Sequence, residues 1–174
     1  MTPTPFSTVT FTHLEDVDVR GNATDRDTLL FHATDQNDSI DVNPVAQGTA
    51  DSPVVRLGNN FGTTLLRLRD FSNVAIPTVS GLAGADTFRV TIFPTQPNFV
   101  IRDIRLDGGT QPAVRPGSRP IGDTLIVNFN ENLFAQLPSS IGPTSGRIRL
   151  GHNDDILDIL FVNFEELSGN LHVL

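Results

Sequence analysis

The chain has 174 residues, a net charge of −8 and a pI near 4.7. All twelve basic residues are arginine, and Lys, Cys, Trp and Tyr are absent. Phosphate binding needs a positive field, so this charge argues against a nucleic-acid partner. The missing Lys and Cys exclude Schiff-base and thiol chemistry and the lysine-containing phosphate loop. The length suits one domain over 1–174, which buries roughly two-thirds of its unfolded surface.

The chain begins with a segment, 1–8, in which Pro3 and Pro5 indicate an entry linker before the first strand. After it, short apolar stretches rich in Val, Ile, Leu and Phe alternate with Gly, Pro, Asn and Asp, a pattern that predicts an all-β protein. No apolar run is long enough for a membrane span. The predicted strands are Val17–Val19, Leu29–Phe31, Ser39–Val42, Val54–Leu57, Leu65–Leu68, Phe88–Ile92, Val100–Leu106, Leu125–Phe129, Arg147–Leu150 and Leu157–Phe161.

Two segments interrupt this series of strands. Residues 108–122 carry Pro112, Pro116 and Pro120, and proline offers no donor to a strand ladder, so we expect an exposed loop there. Residues 131–137, before Pro138, form the one stretch that predicts a helical turn.

A short phrase recurs along the chain: a turn that ends in Asp, followed by an apolar strand start. In four copies one small residue intervenes, and in the fifth Ile156 follows Asp155 directly. A repeated unit of this kind is typical of stacked, elongated folds. The copies are Asp27-Thr28-Leu29, Asp38-Ser39-Ile40, Asp86-Thr87-Phe88, Asp123-Thr124-Leu125 and Asp155-Ile156-Leu157.

A second regularity is Phe followed three residues later by an aliphatic residue, at Phe11, Phe71 and Phe164. The first two copies lead through a strand and a turn to the Asp phrase, whereas the third reaches the end of the given sequence before a further turn. We therefore expect an open strand edge that pairs with another copy or with further repeats.

The segment Gly81-Leu82-Ala83-Gly84-Ala85-Asp86-Thr87-Phe88-Arg89 resembles the nonapeptide of hemolysin-type calcium-binding repeats, with Leu82 in place of the second glycine. The segment 150–157 fits with its first glycine lost. More broadly, the chain resembles the degenerate β-solenoid repeats of large bacterial extracellular surface proteins. The resemblance implies a right-handed parallel β-solenoid with irregular coils, and a β-sandwich is the alternative. A solenoid should place Leu29, Phe88 and Leu125 in one inward stack.

The resemblance also implies calcium, with Asp27, Asp38, Asp86 and Asp155 as candidate ligands. Hard cations need six or more oxygens, and only Asp27 and Asp38, with Asp25 and Asp35, are close enough in sequence to share neighbouring turns. The competing interpretation is that each Asp accepts backbone N–H groups to close a turn.

The sequence offers little for catalysis. His13, His32, His152 and His172 lack zinc-ligand spacing, and no nucleophile elbow occurs. The adjacent pairs Glu165-Glu166 and Asp154-Asp155 face opposite sides of a strand, and the arginine pairs 67/69 and 147/149 suit ion pairs with neighbouring strands.

These observations favour a noncatalytic structural or adhesive module of an extracellular surface, matrix or filament protein that assembles head to tail. The acidic, cysteine-free composition is compatible with that compartment. The alternative is a calcium- or carbohydrate-binding module, with a cell-surface glycan as partner, although sugar platforms commonly use the Trp and Tyr rings that this chain lacks. A polysaccharide-active β-helix enzyme is the third candidate.

Overall fold

The computed structural model describes residues 16–20, 28–44, 54–59, 64–72, 77–92, 99, 101–110, 122–129, 133–136 and 145–169. In this part of the chain there are strands and no helix, which confirms the all-β prediction. The strands are β1 (Asp16–Arg20), β2 (Leu30–His32), β3 (Asp38–Asn43), β4 (Val54–Asn59), β5 (Thr64–Ser72), β6 (Thr78–Ser80), β7 (Thr87–Ile92), β8 (Asp103–Asp107), β9 (Thr124–Phe129), β10 (Phe134–Gln136), β11 (Ser145–His152), β12 (Asp155–Val162) and β13 (Glu166–Gly169).

The strands form two mixed sheets, and neither sheet closes on itself. Sheet 1 has the order β1-β5-β4-β3-β7-β9-β13, and sheet 2 has the order β10-β11-β12-β8-β6-β2. Four consecutive strand pairs, β2/β3, β6/β7, β8/β9 and β12/β13, each place one strand in either sheet, and we call these pairs rungs. Strands of successive rungs pair parallel in both sheets. In contrast, β4 pairs antiparallel with β3, and β11 pairs antiparallel with both β10 and β12.

The core lies where both sheets turn their apolar positions inward. β7 and β9 both alternate half-buried and buried residues, as expected for strands with one face on a core. Phe88 and Leu125 are register partners and fully buried, and Ile40 precedes them in the same row. Leu29 lies outside this row, before β2, so its predicted place in the stack is wrong. The strand that follows Leu29, β2, belongs to sheet 2, whereas Phe88 and Leu125 lie in β7 and β9 of sheet 1.

One local prediction needs correction, and another falls mainly on residues outside the described part. The predicted helical turn over 131–137 contains strand β10, because residues 134–136 pair antiparallel with β11. The predicted loop 108–122 begins inside the fold: Gly108 donates its N–H to the carbonyl of Val162, and Thr110 bridges to Ala83. Residues 111–121 and the leading segment 1–8 lie outside the described part.

Candidate functional site

A column of four acidic residues stands where the chain enters the sheet 1 strand of each rung. The backbone N–H of Asp38 donates to Oδ1 of Asp86, that of Asp86 to Oδ1 of Asp123, and that of Asp123 to Oε2 of Glu165. Each of the three distances is 2.7 Å, across 48, 37 and 42 residues of sequence. We call Asp38, Asp86, Asp123 and Glu165 the carboxylate column.

Burial explains why the column uses carboxylates. Asp38, Asp86 and Asp123 are at most 2 % exposed. A buried N–H without an acceptor costs free energy, and a carboxylate forms a short, strong hydrogen bond with it. Asp86, Asp123 and Glu165 each accept the amide of the rung before, and the column thereby joins rungs that are distant in sequence.

The two ends of the column differ from its middle. At the first rung, Oδ2 of Asp38 accepts the backbone N–H of Thr34 at 2.8 Å and its hydroxyl at 2.7 Å. At the last rung, the N–H of Glu165 donates to the carbonyl oxygen of Asp123 at 3.0 Å. The carboxylate of Asp38 and the backbone N–H of Glu165 thus both have hydrogen-bond partners at the ends of the column.

Glycine residues make room for the column. A Cβ on Gly81 would overlap Oδ2 of Asp86, one on Gly108 would overlap Oδ2 of Asp123, and one on Gly122 would overlap the carboxylate of Glu165. At the first rung the residue beside Gly81 is Ala33, whose N–H donates to the carbonyl of Ser80. Gly81, Gly108 and Gly122 therefore provide space for the carboxylates of the column.

Asp86 is the unusual member of the column. It is 1 % exposed, and its Oδ2 has no hydrogen-bond partner among the described residues. The pKa of Asp86 is raised from 3.8 to about 7 by burial first of all; the hydrogen bond from the Asp38 N–H opposes this rise, and the charges of Asp123 and Asp38 add to it.

Of the four predicted calcium ligands, the structure brings Asp38 and Asp86 together and places Asp155 elsewhere. Asp27, like Asp25, lies outside the described residues. Asp38 and Asp86 lie in the column, whereas Asp155 lies at the start of β12, where it accepts the N–H of Phe99 at 3.0 Å and contacts Arg102 at 3.3 Å. Backbone N–H donors face the carboxylates of Asp38 and Asp86, and a calcium ion needs oxygen ligands in their place. These two residues therefore do not fit a calcium site.

Beside the column lies an open, partly polar cavity of about 350 Å³. Oδ1 of Asp107 is held in it by the N–H of Gly109 at 3.0 Å and by Nδ2 of Asn163 at 2.8 Å. The cavity is lined by Asp35, Ser80, Leu82, Ala83, Asp107, Gly109, Thr110 and Asn163.

The other charged pairs lie on strands and turns outside the column or at its end. Asp158 accepts hydrogen bonds from both Arg147 and Arg149 on the adjacent strand, as the ion-pair interpretation predicts. Glu165 accepts the backbone N–H of Asp123 in the column, and Asp154 is exposed. Arg67 and Arg69 are register partners of Asp16 and Asp18 on β1.

Sequence reasoning missed Glu165 as a member of the column, and it left Asp123 out of the candidate ligands. Asp123 carries the full Asp-Thr-apolar phrase, which was the available signal. Glu165 lacks that signal: it is a glutamate rather than an aspartate, and its local sequence, Phe164-Glu165-Glu166-Leu167, differs from the phrase.

No protein-family model matches this chain, and searches of curated proteins and of solved structures find no match. Within the described ranges, no group of three or more His, Cys, Asp or Glu side chains is placed to hold a metal ion. The same ranges contain no helix that is long and apolar enough to span a membrane.

Proposed function

We propose that the chain is a noncatalytic structural or adhesive module of an extracellular surface, matrix or filament protein, built as a parallel β-solenoid. The observation that carries this proposal is the carboxylate column. One oxygen each of Asp86, Asp123 and Glu165 accepts a backbone amide of the neighbouring rung, a use of carboxylates that stabilises architecture.

The solenoid part of the proposal draws support from register. Ile40, Phe88, Leu125 and Leu167 follow one another in a row across β3, β7, β9 and β13, all parallel. In sheet 2, β2, β6, β8 and β12 are parallel as well. A coil repeats its strand polarity in this way, whereas sandwiches are built mainly from antiparallel hairpins and Greek keys.

Self-association draws support from the sheet edges. Among the strands that the structure describes, β13 contacts only β9, and β2 contacts only β6. Leu30 on β2 is 57 % exposed, and an apolar side chain on an edge strand favours pairing with another chain. A second copy or a further repeat of the same protein is the partner that we propose.

Fractionation and microscopy test this function together. An antibody against the chain should label the surface or matrix of the cells that make it, and negative-stain images of concentrated protein should show rigid, end-to-end particles. Protein confined to the cell interior would contradict the proposed location. A strictly monomeric particle at high concentration would contradict self-assembly.

A carbohydrate-binding module is the second candidate, and the cavity beside Asp107 is the observation that favours it. Its fixed carboxylate, amide and hydroxyl groups suit a polyhydroxylated ligand. A glycan array with wild-type protein and the Asp107→Asn variant tests it: binding that the variant loses supports the candidate, and an empty array contradicts it. A lyase assay on the same glycans tests the third candidate, the polysaccharide-active enzyme.

Calcium binding by residues outside the column is tested by melting the protein with millimolar calcium and with chelator. A calcium-dependent rise in the melting temperature would support it, since a ligand that binds only the folded state stabilises that state. Identical melts would contradict it.

A further inference from the structure

We infer that the column carries a proton on Asp86 at the position where the resemblance implies a calcium ligand. The neutral carboxyl group accepts the N–H of Asp38 through Oδ1 and offers an O–H donor through Oδ2.

The surroundings of Oδ2 are the geometric reason for this assignment. The atom is buried and has no hydrogen-bond donor among the described residues. A bare carboxylate oxygen in such a place is costly, because nothing compensates for its lost hydration. A Cβ placed on Gly81 would overlap Oδ2 of Asp86 and would lie 2.8 Å from the carbonyl oxygen of Gly108. Both oxygens therefore border the same point in the structure. This carbonyl is the acceptor that we assign to the Asp86 O–H.

Electrostatics point in the same direction. Asp123 on one neighbouring rung and Asp38 on the other are both acidic, and these are the charged groups that act on Asp86. Two like charges on either side disfavour a third between them. The next member of the column beyond Asp123 is Glu165, which is also acidic and cannot offset these negative charges.

The direction of the pH effect follows from linkage. A carboxyl group whose pKa is higher in the folded than in the unfolded protein binds more protons when folded, so stability falls as pH rises between the two values. For Asp86 these are 3.8 and about 7. The stabilising contribution is complete below about pH 4 and is lost as the pH passes 7. The column is thus a proton-linked device that weakens the contact between rungs at alkaline pH.

Carboxyl ¹³C NMR of aspartate-labelled protein tests the assignment directly. One resonance should titrate with a midpoint near pH 7, and it should disappear in the Asp86→Asn variant. A spectrum in which every aspartate titrates below pH 5 would overturn the proposal. The wild-type titration needs no variant, so it remains decisive even if Asp86→Asn does not fold.

Melting between pH 4.5 and 8.5 gives a second readout. Asn keeps an acceptor for the Asp38 N–H and places an N–H donor where the Asp86 O–H would stand. The melting temperature of wild type should therefore fall relative to that of Asp86→Asn as the pH rises. The matched control is Asp41→Asn, at a half-exposed aspartate that pairs with Arg89, and it should keep the wild-type profile. A constant difference between wild type and Asp86→Asn across this range would also overturn the proposal.

Discussion

The carboxylate of Asp123 accepts the backbone N–H of Asp86 at 2.7 Å, across 37 residues of sequence. Both residues are buried, so the hydrogen bond is shielded from water. Asp123→Ala should leave the Asp86 amide without this acceptor and lower the free energy of unfolding by about 1–3 kcal/mol, measured by urea denaturation. Asp123→Asn keeps a carbonyl acceptor and should cost less.

The control for this prediction is Asp41→Ala, which removes an aspartate that is 47 % exposed and pairs with Arg89 at 2.9 Å. Exposed ion pairs contribute about 0–1 kcal/mol, so this variant should remain close to wild type. Equal losses from Asp123→Ala and Asp41→Ala would show that the column contributes nothing special to stability.

Gly81→Ala tests the space beside the column. The added Cβ would overlap Oδ2 of Asp86 and lie 2.8 Å from the carbonyl oxygen of Gly108. Since one contact is with backbone, the corner must shift, and we expect a loss of about 1–3 kcal/mol, the usual range for overpacking. The measurement is the midpoint of urea unfolding.

Ala33→Gly is the comparison at the first rung, where the residue beside Gly81 already carries a Cβ. It should cost only about 0.5–1 kcal/mol, the usual effect of glycine in place of alanine. If Gly81→Ala were as mild as Ala33→Gly, the corner would tolerate a Cβ, and the glycine would not be needed to make room for Asp86.

The recurring Asp phrase predicted strand starts and turn closure because both are local properties of the sequence. Asp38, Asp86 and Asp123 all enter sheet 1 strands from a turn, as the phrase indicates. What it could not predict is which rung each carboxylate contacts, since the partners lie 37 to 48 residues away. The same limit applies to β10, where pairing with β11 overrides a local helical tendency.

The triad of Arg147, Arg149 and Asp158 gives a prediction about salt. Nε of each arginine donates to Oδ1 of Asp158, at 3.0 Å from Arg147 and 2.8 Å from Arg149. Asp158 is 13 % exposed, whereas the arginines are 48 % and 35 % exposed. Because either arginine still pairs when the other is removed, each single Arg→Ala variant should lose less than about 1 kcal/mol.

Asp158→Ala should cost more than either arginine variant, because it removes the shared partner and leaves two positive charges close together. The difference should shrink in 1 M salt, where exposed charges are largely screened. Urea melts at low and high salt measure this. A loss for Asp158→Ala that salt leaves unchanged would indicate packing rather than charge.

Phe164 links the last rung to the centre of the core, and its contacts predict coupling between distant segments. Its ring meets that of Phe88 edge to face, with centroids 5.0 Å apart and planes at 84°, and both side chains are fully buried. Phe164→Ala should lower the free energy of unfolding by about 3–5 kcal/mol because it leaves a cavity.

Phe88→Leu and Phe164→Leu are milder changes, and a double-mutant cycle between them should give a coupling of about 0.5–1.5 kcal/mol. Phe99→Leu, also buried, is the control for general loss of aromatic volume, because no ring contact joins Phe99 to Phe164 among the described residues. Additive losses for Phe88→Leu and Phe164→Leu would mean that the rings fill space independently, and the last rung would then depend on its strand pairing and on Glu165 for its place in the stack.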